Sequence, residues 1–210
     1  MRAVAGLATI ALAIAAAGCG DDDESSASSD AGKPRLVVSA ASSMTEALEA
    51  CGPKFQDATV RLQFAGSDEL AAQIRQGVKP DVYAAANTKL PDELNEEGLL
   101  SKPVEFATNQ FVLAVPTDSR IQSIDDLTQG DVKIAIGAEE VPIGSYTRET
   151  LAKLPAEQEQ GILDHVRSNE PDVKGIVGKL TQGAADAGFV YLTDVNATGG
   201  ALRAVELPME

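Results

Sequence analysis

Five places in the chain carry the groups best suited to chemistry: Ala41-Ser42-Ser43, Ala65-Gly66-Ser67, Pro142-Ile143-Gly144, Pro171-Asp172-Val173 and Tyr191. Most stand where an apolar run gives way to a helical pattern, and almost all of what they offer is neutral donors: Ser hydroxyls, a phenol and backbone N–H groups. The first N–H groups of a helix have no intrahelical partner, and the helix dipole adds partial positive charge there, so a helix start favours an anion. Small residues beside each Ser let a ligand approach the backbone. The implied chemistry is capture of an anion by donors alone, without a formal positive charge. Each residue also has a plainer structural use. Ser43 with Glu46 fits a capping box and Ser67 fits an N-cap followed by acidic residues. The Val173 amide is then an orphan donor opening a helix, and Tyr191 after Phe189 and Val190 fits a core position.

Composition narrows the alternatives. A single His, His165, and two Cys leave too few soft ligands for a zinc site, and too few imidazoles for a triad built from local motifs. The strand ends offer no paired carboxylates, activated nucleophile or metal-ligand cluster, so an enzyme is the weakest reading and no cofactor is called for. Seventeen Lys and Arg against 32 Asp and Glu give a net charge of -15 with no basic patch, which argues against nucleic acid as a partner. With 4% aromatic residues and no Trp, the chain has no stacking platform for single strands. Its 210 residues, 44% of them apolar, suffice for one sizeable domain or two small lobes.

The elements that must position the donors follow from periodicity. Arg35 to Ala40 holds the run Leu36-Val37-Val38, after which Leu48, Cys51 and Phe55 recur at helical spacing and give Cys51 a buried apolar role. Val60, Leu62 and Phe64 alternate as a strand, and Leu70 and Ile74 mark a helix ending at Gly77. A third strand over Asp81 to Ala86 and a helix around Pro91 to Glu97 complete a βαβαβα order, hence a parallel sheet. A second set starts near Asn109, with strands over Phe111 to Val115, Val132 to Ile136, Ala185 to Tyr191 and Ala201 to Leu207. Helices over Ser145 to Leu154 and Val173 to Leu180 accompany them, and Ala156 to Pro171 is too polar to assign. Two α/β lobes with a crevice result, and ligands in such folds bind beyond the carboxyl ends of the strands.

The amino end is of another kind. Arg2, the apolar run Leu7 to Ala17 and Ala16-Ala17-Gly18-Cys19 look like a bacterial lipoprotein signal over residues 1–18, with Cys19 as the lipidated first residue. The run is too short to span a bilayer comfortably. Residues 19–34, rich in Asp, Ser, Ala and Gly, then predict a flexible tether to the membrane. The expected location is extracytoplasmic and lipid-anchored to the bacterial cell membrane.

The whole series resembles the molybdate-binding proteins of ABC importers. In the first half the resemblance rests on Val38 through Leu48, Phe64-Ala65-Gly66-Ser67 with Leu70-Ala71 and Gln73-Ile74, and Gly77 through Val82. In the second half it rests on Val141 through Tyr146, Asp172-Val173-Lys174-Gly175, and Ala185 through Tyr191 with Asp194. It implies a two-lobed type II periplasmic-binding-protein fold, α/β, each lobe a mostly parallel sheet flanked by helices. Residues 35–107 with 195–210 would form lobe 1 and residues 108–194 lobe 2, with crossings near 106–109 and 192–196.

Carried over by position, Ser43 and Ser67 would give hydroxyls and amides, Ile143 and Val173 amides, and Tyr191 its hydroxyl, all to one tetrahedral oxyanion. Molybdenum or tungsten would be held only as that oxyanion. The implied function is a monomeric, non-enzymatic receptor that captures molybdate or tungstate and delivers it to an ABC permease. A receptor for sulfate or phosphate, or a shortened lipoprotein that binds nothing, are the alternatives. Three departures from the family pattern stand out. Asp68 and Glu69 follow Ser67, where an inward carboxylate would repel a dianion or accept a proton from phosphate. Ile143 is bulkier than the Ala common in the family and would narrow the cleft. The chain ends at Glu210, where relatives continue, so lobe 1 is expected to be carboxyl-terminally incomplete and to expose an apolar face.

Overall fold

The structure is a computed structural model and describes residues 32–207. The signal, Cys19 and nearly all of the tether lie outside the described residues. Among those described, no helix is long and apolar enough to cross a membrane.

The first layer is a parallel three-stranded sheet. β1 (Arg35–Ala41) lies in the centre, between β2 (Thr59–Ala65) and β3 (Val82–Ala84). One side packs Leu36, Val38, Val60, Leu62 and Phe64 with Leu48 of α1 (Thr45–Cys51). A further cluster joins α2 (Ser67–Arg75) to α3 (Lys89–Glu96) through Ala71, Ile74, Leu90 and Leu94. The βαβαβα order is therefore as the periodicity predicts. Cys51 differs: it is exposed, not buried. α1 ends there in a tight turn over Gly52–Lys54 containing Pro53, so the apolar stripe breaks and Phe55 is also exposed.

Residues 101–110, without helix or strand, lead to the second layer. Its sheet has the order β6-β5-β7-β4-β8, built from β4 (Phe111–Pro116), β5 (Ile134–Gly137), β6 (Val166–Glu170), β7 (Ala187–Tyr191) and β8 (Leu202–Val205). α4 (Pro142–Leu151), α5 (Ala156–Asp164), α6 (Val173–Thr181) and α7 (Leu192–Ala197) flank it. The segment left unassigned by its polarity is thus α5 and the edge strand β6. Edge strands and surface helices carry polar residues on their outer faces, which hides their period.

Two expectations are corrected. The second sheet is mixed: β5 runs parallel to β6 and β7, while β4 is antiparallel to both β7 and β8. Secondly, residues 195–207 do not join residues 35–107, and 192–197 form a helix instead of a crossing. Gly199 and Gly200 take φ values of 62° and 97°, a left-handed conformation that reverses the chain. β8 then pairs with β4, where Leu202, Val205 and Leu207 enter the cores on the two faces of this sheet.

Candidate functional site

One cavity opens between the two layers. The first layer contributes the turn after β1, with Ser42 and Ser43, the turn after β2, with Gly66 and Ser67, and Ala86 beyond β3. The second contributes Val141 to Ile143 at the start of α4, Asp172 and Val173 at the start of α6, and Tyr191 at the end of β7. All five residues expected from the sequence, Ser43, Ser67, Ile143, Val173 and Tyr191, line it. Its empty volume is about 240 Å³ including solvent at the mouth, which leaves room only for a ligand of few atoms.

Two of the helix starts that wall this cavity have no side-chain cap. Gly66 precedes α2 and Val141 precedes α4, and neither side chain caps its helix. Ser67 is therefore inside α2 and is not its cap. Its Oγ accepts the Ala86 N–H at 3.0 Å, leaving the hydroxyl proton free to donate, and its carbonyl accepts the Tyr83 hydroxyl at 2.7 Å. Ser43 lies in the turn Ser42–Met44 ahead of α1, whose N-cap is Met44. The capping box with Glu46 does not form, because Glu46 is bonded to Lys174.

At α6 the one carboxylate of the wall is already engaged as an acceptor: Asp172 Oδ1 accepts the Gly175 N–H at 2.9 Å and caps the helix. Ile143 lines the cavity, is 2% exposed and belongs to the core of the second layer, where its side chain covers Gly137.

Tyr191 is the most distinctive group. It is 5% exposed, and its phenolic oxygen has no hydrogen-bond partner. Burial, with added effects of Tyr146 and Asp194, raises its pKa, so the phenol keeps its proton and remains a donor. Asp68 does not line the cavity. Its carboxyl folds back beside Gly66, and burial, together with the charges of Glu69 and Glu140, raises its pKa. Gly66 also marks where the layers touch: a Cβ there would stand 2.7 Å from the Pro171 carbonyl, a contact only glycine allows.

Sequence reasoning missed Ala86 as the residue that orients Ser67. Its place at the end of the third strand, equivalent to the other two turns, was the available signal. It also missed the ion pairs of Lys174, whose partners lie 128 residues away in Glu46 and nearby in Asp194. Among the described residues no group of three His, Cys, Asp or Glu could hold a metal ion.

Two α/β layers that close on a small cavity of donors define a two-lobed solute receptor of the type II periplasmic-binding-protein class. Residues 36–210 match the family described as bacterial extracellular solute-binding protein, and the chain belongs to that family. It is 35% identical over 214 residues to the molybdate-binding protein ModA of Mycobacterium tuberculosis, covering 97% of this chain and 79% of that one. Its structure is similar to the substrate-binding domain assigned to a molybdenum ABC transporter from Clostridium difficile. There the TM-score is 0.60 and the identity 31%, over 83% of this chain and 78% of that one. The fold is shared with the periplasmic molybdate-binding protein of Azotobacter vinelandii, at a TM-score of 0.67 and 21% identity over 81% and 76% of the two chains.

Proposed function

We propose that this protein captures molybdate or tungstate in the cavity between its layers and presents it to the permease of an ABC importer, without catalysing a reaction. The observation that carries the reading is the Tyr191 phenol: a buried, unpartnered donor at a cavity walled in part by the uncapped starts of α2 and α4. A buried polar group without a partner costs about 1–3 kcal/mol, which a bound oxyanion offsets. Molybdate and tungstate are fully ionised near neutral pH and need only donors. Phosphate carries a proton that its site must accept, and the wall's one carboxylate, Asp172, is already committed to Gly175. The similarity to a molybdate-binding protein and to the substrate-binding domain of a molybdenum transporter supports the same ligand. Donors from both layers converge on one ion, so binding favours the closed arrangement over the open one. In this reading the protein acts as a monomer outside the cytoplasm, held to the membrane by a lipid on Cys19.

Thermal unfolding with molybdate, tungstate, sulfate or phosphate tests the ligand. At about 100 times its Kd a ligand stabilises the native state by about 2.7 kcal/mol, a rise of roughly 5–11 °C for a chain of this size. The expected result is a rise with molybdate and tungstate that phosphate does not match. A rise with sulfate alone would reassign the ligand, and no rise with any of the four would overturn the reading.

A further inference from the structure

Lys174 follows Val173 at the start of α6 and does not itself line the cavity. Its Nζ lies 2.6 and 2.8 Å from the two carboxylate oxygens of Glu46 and 3.1 Å from Asp194 Oδ1. Glu46 belongs to α1 in the first layer, three residues beyond Ser43. Asp194 belongs to α7 in the second layer, three residues beyond Tyr191. One ammonium therefore joins three helices that start at or just after three of the cavity's donors, and its bond to Glu46 is the part that crosses the cleft.

The two carboxylates have different duties. The Asp194 side chain is fully buried, at 0% exposure, and needs its counter-charge whether the cleft is open or shut. The Glu46 side chain is 54% exposed and returns to water once the layers separate. Burial works against the charge on Lys174, but both carboxylates outweigh it and raise its pKa. For Glu46 burial is likewise outweighed, by the Lys174 ammonium, so its pKa falls. The pair that crosses the cleft is thus ionised throughout the neutral range.

We infer that Lys174 is a positioning residue: anchored on Asp194, it reaches across to Glu46, holds the Ser43 and Val173 donors at their closed spacing, and so sets how long a captured oxyanion stays. The inference rests on the cavity being the ligand cage. A partly exposed pair is worth a modest amount, corresponding to about a twofold to fivefold change in the closed-to-open ratio. That ratio enters the release rate directly, because a ligand held from both sides leaves only when they part.

The test compares the intact wild-type chain with Glu46→Gln and Glu46→Asp by amide hydrogen exchange, free and with molybdate, and by molybdate release rates at low and high salt. Glu46→Gln should speed release about twofold to fivefold at low salt, and the wild type should approach it as salt screens the pair. Exchange should quicken only over residues 42–48 and 173–177, and Glu46→Asp, which keeps the charge, should restore part of the effect. Equal release and equal local exchange in wild type and Glu46→Gln overturn the inference. So does exchange that quickens over the whole chain, which marks a role in global stability. If the wild type binds no molybdate, the cage reading falls, while exchange in the free chain still decides the latch.

Discussion

Tyr191 shows how one residue serves two ends. Its ring belongs to the core of the second layer, as the run Ala187–Tyr191 suggests, while its hydroxyl stays at the cavity without a partner. A group kept buried and unpaired lowers stability in the free protein and strengthens binding of a ligand that pairs with it. Tyr191→Phe should therefore raise the melting temperature of the free protein while weakening molybdate binding. The loss expected for a hydrogen bond to a charged group is about 1.5–3 kcal/mol, or roughly 10-fold to 150-fold in Kd. Unfolding scans and calorimetric titration measure the two effects, and a variant with unchanged affinity would remove the phenol from the cage. The dual use was legible only in part. Residue type and position mark Tyr191 as either core or donor, and nothing in the local sequence says that it is both.

Helix starts are the working parts at the scale of elements. The residues before α2, α4 and α7 are Gly66, Val141 and Tyr191, and none caps its helix through its side chain. α1, α3 and α5 likewise lack a side-chain cap, whereas Asp172 caps α6 and Ser123 with Asp126 form a reciprocal box. Helix ends are handled with equal care at α5, where His165 sits between two carbonyls, Nδ1 2.8 Å from Gly161 O and Nε2 3.1 Å from Gly130 O. A neutral imidazole has one N–H and can satisfy one of them, whereas the protonated ring donates to both. Those backbone bonds raise the His165 pKa above its ordinary value of 6.5. A raised folded-state pKa means that the contribution is fully present below about 6.5 and is lost as pH rises through the folded value. Substituting His165→Gln should thus lower the melting temperature more at pH 5.5 than at pH 8. A gap between variant and wild type that does not change with pH would show that the second bond contributes nothing.

At the scale of the whole molecule, a net charge of -15 faces a doubly charged anionic ligand. The helix-start donors act over short range, while the net charge repels at long range. Raising salt from 0.01 to 0.15 M shortens the screening length from about 30 to about 8 Å, which removes most of that repulsion. The association rate for molybdate should rise over this range by a factor of roughly two to ten, as stopped-flow mixing would register, and a falling rate would point to a steering field not evident in the charge count. What the sequence by itself determined is the set of local units. The first βαβαβα order and the strand-to-helix turns can be read from period and residue type, because each depends on neighbours a few positions away, and the likeness to the family singles out Ser43, Ser67, Ile143, Val173 and Tyr191 on those turns as candidate donors. Only the tertiary structure decided what depends on distant partners. The Gly199-Gly200 reversal that returns β8 to β4 and the bond from Lys174 to Glu46 across 128 positions are of this kind. So are the turn of Ile143 into the core and the exposure of Cys51. Which face of an element is covered, and which charge meets which, is settled by packing between layers, and no local pattern encodes it.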